Sequence, residues 1–171
     1  DHDLHVMRPG QTLFDVTCDV LLKMRAVLES EEPDAVLVHG DTTTSFAAAI
    51  ACFYLRIPVG HVEAGLRTRD LYSPWPEEFN RQAVDVVSRW YFAPTEASRR
   101  NLLEEGKPAD RIWVTGNTGI DALRTTVREG YSHSVLDWAA GSRLVLITAH
   151  RRENLGAPMR SMFRAIRRVM E

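Results

Sequence analysis

Residues 35–44, Ala-Val-Leu-Val-His-Gly-Asp-Thr-Thr-Thr, decide how this chain folds. An apolar run too short for a helix closes on Gly40. Asp41 and three threonines then open an alanine-rich segment that holds helical spacing to about Leu55. Short strand, sharp turn and capped helix make half of a βαβ unit. Working outward, the succession repeats. Residues 57–62, 90–94 and 112–115 read as further buried strands. Residues 11–30, 77–88, 96–105 and 119–128 read as helices, the first with Leu13, Val16, Val20, Leu21, Met24, Val27 and Leu28 at helical intervals. The expected fold is α/β: a Rossmann-like parallel sheet with flanking helices.

Residues 131–142 read as a linker. Residues 144–148 read as a strand that opens another βα unit, whose helix runs to residue 171. A lone strand and helix cannot close a core. Residues 143–171 are therefore expected to begin a second Rossmann-like domain, with residues 1–130 forming most of the first, short of its initial strand.

Bulk properties narrow the function. The 171 residues are 44% hydrophobic and 26% charged, with a net charge of −2, ordinary for a globular protein and without the basic stripe of a nucleic-acid binder. The densest cationic stretch, Arg160, Arg164, Arg167 and Arg168, reads as a solvated helix face. Cys18 and Cys52 fall in apolar-periodic segments and read as buried, unpaired thiols. No stretch is long and apolar enough to span a membrane and no signal peptide is visible, so the expected location is the cytoplasm.

The chemistry concentrates where strands end. Open parallel sheets bind ligands beyond the carboxyl ends of their strands. Asp41 follows one strand and Glu63 the next, while Glu77 and Glu78 open a helix after a long proline-containing loop, residues 65–76. Asp41 reads either as an acid/base group or as a helix cap. By alternation, His61 and Glu63 should share a strand face. Glu77 and Glu78 suit a helix amino terminus in any case. Asn117 stands in a strand-to-helix turn at the same end, and Arg67 in the preceding loop could contact an anion. His150 and Arg151, after the run 144–148, could hold a phosphate leaving group. His39, Asp41, His61 and Glu63 also have the donor types of a metal site, but both histidines sit in apolar strands, so no metal is expected. No Gly-x-Gly-x-x-Gly loop is present, and no cofactor is expected.

His-Gly-Asp-Thr-Thr-Thr at 39–44, Gly-His-Val-Glu-Ala-Gly-Leu-Arg-Thr at 60–68, Tyr-Ser-Pro-Trp-Pro-Glu-Glu at 72–78, Thr-Gly-Asn-Thr at 115–118 and Ala-His-Arg-Arg-Glu-Asn at 149–154 occur in that order. In these motifs the chain resembles the non-hydrolysing UDP-N-acetylglucosamine 2-epimerases. The resemblance implies two Rossmann-like domains in the glycosyltransferase-B arrangement, here truncated at both ends, with the site between them. It implies catalytic roles for Asp41, Glu63, Glu77 and His150, and substrate contacts for Arg151, Asn117 and Arg67. It also matches Gln11, Glu77 and Arg151 to an activator pocket, although Gly10 stands where activated members carry arginine. UDP-N-acetylglucosamine is the implied partner, the whole protein a homodimer, and the pathway cell-wall polysaccharide synthesis. The amino-terminal Gly-Thr-Arg-Pro-Glu loop and the later Ser-Gly-Gly and Glu-Glu segments are missing, so the fragment is expected to be inactive. Hydrolysing relatives show Gly-Asp-Arg and His-Ile-Glu-Gly-Gly-Glu instead. That rival, a glycosyltransferase, and a non-catalytic nucleotide-sugar module are the alternatives.

Overall fold

The computed structural model describes residues 1–149 and 154–170. Internal contacts divide the chain into two compact units, Asp1–Ala122 and Leu123–Glu171. In the first unit four strands, β1 (Val36–His39), β2 (Val59–Val62), β3 (Trp90–Ala93) and β4 (Ile112–Val114), form one parallel sheet in the order β1-β2-β3-β4. Parallel neighbours need crossover connections. These are α2 (Thr43–Tyr54), α3 (Glu77–Val87) and α4 (Glu96–Glu104), with α1 (Leu13–Glu31) before β1 and α5 (Thr118–Thr126) after β4. The α/β reading of the fold is correct.

Each helix start has a chemical cause. Thr12 and Asp15 form a reciprocal capping box at α1, with Asp15 N donating to Thr12 Oγ1 at 3.2 Å and Thr12 N donating to Asp15 Oδ2 at 2.8 Å. Thr42 caps α2 and Thr95 caps α4, each accepting from the amide three residues on. At α3, Pro76 supplies no side-chain cap, and Glu77 and Glu78 occupy the first turn instead.

Alternation sends Val38, Val59, Tyr91, Ala93 and Ile112 to one face of the sheet, all buried. Val38 and Val59 pack with Val20 and Leu28 of α1, Ala47, Ala48, Ala49, Ala51 and Cys52 of α2, and Val84 of α3. Tyr91, Ala93 and Ile112 pack with Ala64 and with Leu102 of α4. Small alanines let α2 lie close to α1. The opposite face carries Leu37, Phe92 and Trp113, with Leu37 65% exposed and the rings of Phe92 and Trp113 stacked 5.7 Å apart.

Gly65 shows how tightly the loop after β2 is seated. Its φ is +82°, and an added Cβ would lie 2.3 Å from the Ser98 carbonyl oxygen and 2.8 Å from Leu102 Cγ. At Gly106 φ is +78° with nothing within 4 Å. Gly106→Ala should cost only the left-handed backbone penalty, about 1–2 kcal/mol. Gly65→Ala should add an overpacking cost of about 1–3 kcal/mol. Urea midpoints of the two variants measure the difference, and equal midpoints would refute the packing argument.

The second unit holds α6 (Ser134–Ala139) and α7 (Ala157–Met170). Within residues 131–142, read as a linker, lies α6, whose His133 side chain accepts from the Val135 amide at 3.2 Å. One expectation fails here. The expected strand 144–148 has no regular structure, and Leu146 is 91% exposed. An apolar run becomes a strand only against a partner, and none among the described residues pairs with it. Cys18 is exposed, against expectation, because it lies on the side of α1 turned from α2; Cys52 is buried.

Candidate active site

The carboxyl ends of β1 and β2 lie side by side, with His39 opposite Val62 and the Gly40 amide donating to Val62 O at 2.9 Å. Gly40 therefore stands beside Glu63, and a Cβ there would lie 3.4 Å from Glu63 Oε2. Because Thr42 takes the capping bond of α2, Asp41 does not serve as the cap. Its carboxylate instead receives the guanidinium of Arg81 on α3, and its backbone carbonyl accepts from Asn80 Nδ2 at 2.9 Å. Arg81 Nη1 also lies 3.4 Å from Oε2 of Glu78, which is wholly buried. Burial pushes the Glu78 carboxyl up, but hydrogen bonds from Gln82 and the amides of Thr68 and Arg69, with the charge of Arg81, outweigh it and leave the group below its ordinary value.

Glu63 departs from the alternation. Its φ is 70°, a left-handed conformation uncommon outside glycine, and it directly follows the last residue of β2. The turn carries its side chain away from His61, so the two do not share a face as expected. Glu63 Oε2 lies 3.9 Å from His39 Nε2, and Oε1 lies 3.5 Å from Asn117 Nδ2. His39 Nε2 in turn meets Thr118 Oγ1 at 3.1 Å. The Glu63 side chain is 24% exposed. It is thus a partly open carboxylate ringed by neutral or titratable polar groups. Strain of this kind costs about 1–3 kcal/mol and collects at functional sites.

His61 goes the other way, into the core. It is wholly buried, with Nδ1 2.6 Å from Asp85 Oδ1 and Nε2 2.9 Å from Gly40 O. Both ring nitrogens are thus engaged, Nδ1 by the Asp85 carboxylate and Nε2 by the Gly40 carbonyl. Neither nitrogen is left for a metal. Asp85 Oδ2 accepts from Arg67 Nη2 at 2.7 Å and from the Gly65 amide at 3.2 Å. Burial pushes the Asp85 carboxyl up, but His61 and Arg67 outweigh it and hold it below its ordinary value. Arg67, expected at an anion, is only 3% exposed and gives its remaining donors to Glu105 at 2.6 and 2.7 Å and to Leu66 O. Its guanidinium is consumed by this buried network.

Among the described residues the structure brings Glu63 to Asn117, and α3 places Glu77 one turn before the residue that grips Asp41. Glu77 Oε2 is buried and has no hydrogen-bond partner among the described residues. Gln11 ties the amino-terminal turn, accepting from the Arg8 amide at 2.8 Å and donating to Val6 O at 2.6 Å. His150 and Arg151 lie outside the described residues.

A partly open carboxylate at a strand end, with no lysine or arginine paired to it among the described residues, suits proton transfer. A family model described as UDP-N-acetylglucosamine 2-epimerase matches residues 1–171. The chain belongs to the UDP-N-acetylglucosamine 2-epimerase family. It is 56% identical over 170 residues to the UDP-N-acetylglucosamine 2-epimerase of Bacillus subtilis, covering 99% of this chain and 45% of that protein. The S. aureus MnaA–UDP co-structure is 47% identical, with a TM-score of 0.90 over 96% of this chain and 46% of that one. The Neisseria meningitidis UDP-GlcNAc 2-epimerase bound to UDP-GlcNAc is 58% identical, with a TM-score of 0.70 over 74% of this chain and 34% of that one. The chain thus spans about half or less of the epimerases it matches.

Within this epimerase-family chain, sequence reasoning missed Asn80, Arg81 and Asp85. Their signal was available: with Glu77 they fall at i, i+3, i+4 and i+8, a polar stripe along one face of a helix that must also bury Val84.

Proposed function

We propose that the whole protein interconverts UDP-N-acetylglucosamine and UDP-N-acetylmannosamine without releasing the free sugar. The observation that carries this reading is Glu63: a carboxylate swung out of its strand by a positive φ, in contact with Asn117 and His39 and, among the described residues, with no lysine or arginine beside it. Asp41 and Glu77 give the site further acids, and family membership supplies the substrate class.

The C2 proton of the sugar is not next to a carbonyl, so a carboxylate alone removes it poorly. Departure of UDP from C1 builds positive charge on the ring and acidifies that proton. A carboxylate takes the proton, the C–H electrons form the C1–C2 double bond, and UDP leaves with the C1–O pair. The intermediate is 2-acetamidoglucal. A phosphate oxygen of UDP then re-forms the bond to C1 while a proton reaches C2 on the opposite face. Two faces call for more than one acid/base group, which suits Asp41, Glu63 and Glu77. His150 and Arg151 are read as stabilising the departing diphosphate, with Asn117 at the sugar. Arg67 supports the site from beneath rather than touching the anion.

In this reading residues 1–130 make up most of the first domain of a glycosyltransferase-B-like pair and residues 143–171 begin the second. The chain alone is inactive, and the whole protein is a cytoplasmic homodimer. Gln11, Glu77 and Arg151 are kept as a proposed activator pocket. Incubating the whole protein with UDP-N-acetylglucosamine in deuterated water tests the reading. UDP-N-acetylmannosamine carrying deuterium at C2 is expected. Free N-acetylmannosamine with UDP would assign the hydrolysing reaction, and unchanged substrate without exchange would leave a binding module.

A further inference from the structure

Three of the contacts that hold the turn at residues 40–41 lead to α3. Asn80 Nδ2 donates to Asp41 O at 2.9 Å. Arg81 Nη2 donates to Asp41 Oδ2. Asp85 engages His61 at 2.6 Å, and His61 donates onward to Gly40 O at 2.9 Å. The same helix begins with Glu77. Its polar stripe is therefore a rail: one end carries one proposed catalytic acid, and the next turns grip the loop bearing another.

From this geometry we infer that Arg81 and Asn80 are positioning residues that fix the Asp41 carboxylate against Glu77, with the Asp85–His61 pair anchoring the turn from below. The inference rests on the catalytic reading of Asp41 given above. Several details support it over a plain surface ion pair. The Arg81 side chain is only 11% exposed and bridges Asp41 to the wholly buried Glu78, which fixes the guanidinium in place. Among the described residues the side-chain hydrogen bond that Arg81 makes is the one to Asp41, while Glu78 meets it as an ion pair at 3.4 Å. Asp41 Oδ2 takes the guanidinium, while Oδ1 takes no hydrogen bond among the described residues and is left for the ligand. A lysine in place of Arg81 could meet one carboxylate as a point charge but could not span both.

A misplacement of about 1 Å can cost a reaction about 100-fold. In the whole protein, Arg81→Gln is expected to lower kcat by about 10–100-fold with KM for UDP-N-acetylglucosamine changed by less than about 3-fold, and Arg81→Lys to recover only part of the loss. Asn80→Ala, which touches only the Asp41 carbonyl, should lower kcat in the same direction and serves if Arg81→Gln fails to fold. The deciding measurement is the double variant. If Arg81 acts through Asp41, then Arg81→Gln should cost almost nothing further in an Asp41→Asn background. Losses that multiply, a rise confined to KM, or full kcat in Arg81→Gln would overturn the inference. If Asp41→Asn alone keeps full activity, the catalytic reading of Asp41 has failed, and this assignment goes with it. If Asp41→Asn is inactive while Arg81→Gln is normal, only the assignment is lost.

Discussion

Glu63→Gln in the whole protein is expected to lower kcat by about 10²–10⁴-fold, the usual contribution of a positioned acid/base group. Glutamine keeps the shape of the side chain and an oxygen for the Asn117 amide 3.5 Å away, so binding and folding should survive. It also inherits the same backbone. The φ of 70° at this position is imposed by the exit from β2, where the Glu63 and Ala64 amides both donate to Phe92 O at 3.0 and 3.2 Å. What glutamine loses is the capacity to take or give a proton. The matching measurement is exchange of the C2 hydrogen with solvent deuterium, which should fall in step with turnover. A variant retaining more than about one-tenth of kcat would remove Glu63 from the proton path.

The contrast between Glu63 and His61 shows what a linear reading can and cannot supply. The four strands of the first unit, and Asp41 and Glu63 beyond two of them, were legible, because buried parallel strands announce themselves as short apolar runs. The alternation rule then placed His61 and Glu63 on one face. It failed at Glu63, since a single positive φ ends the strand and throws that side chain toward His39. Asp41 posed a different difficulty. A cap and a catalytic acid call for the same residue in the same place, and only the Thr42 bond to the Ser45 amide shows which residue is the cap. Arg67 misled for a related reason: an arginine in a polar loop looks available to ligands, and nothing local reveals that Asp85 and Glu105, far along the chain, consume it. Residues 144–148 had the composition of a strand, but composition does not provide the pairing partner.

Asp85→Asn is the substitution expected to cost the most stability, about 3–5 kcal/mol, because it removes one partner from a buried ion pair and leaves the other charged. The side chains of Asp85 and His61 are 1% and 0% exposed, and that of Arg67 is 3% exposed, so water cannot replace the lost carboxylate. Asparagine fits the space but offers one acceptor oxygen where His61, the Arg67 guanidinium and the Gly65 amide now converge. Glu105→Gln provides the control within the same network. Glu105 is 40% exposed, and an ion pair so open to solvent is worth about 1 kcal/mol or less. Urea unfolding of the two variants should therefore separate them clearly; similar midpoints would show that the network is not a buried electrostatic unit. Acid provides a second readout. The folded-state pKa of Asp85 lies below its unfolded value of about 3.9, so its contribution is fully present above that value and is lost as pH falls through the folded pKa. Wild type should accordingly lose stability more steeply than Asp85→Asn as pH drops below about 4, and the gap between them should narrow. Since His61 passes the hold of Asp85 to the Gly40 carbonyl, the same substitution should also loosen the turn that presents Asp41, linking the stability of the core to the placement of the acid at its edge.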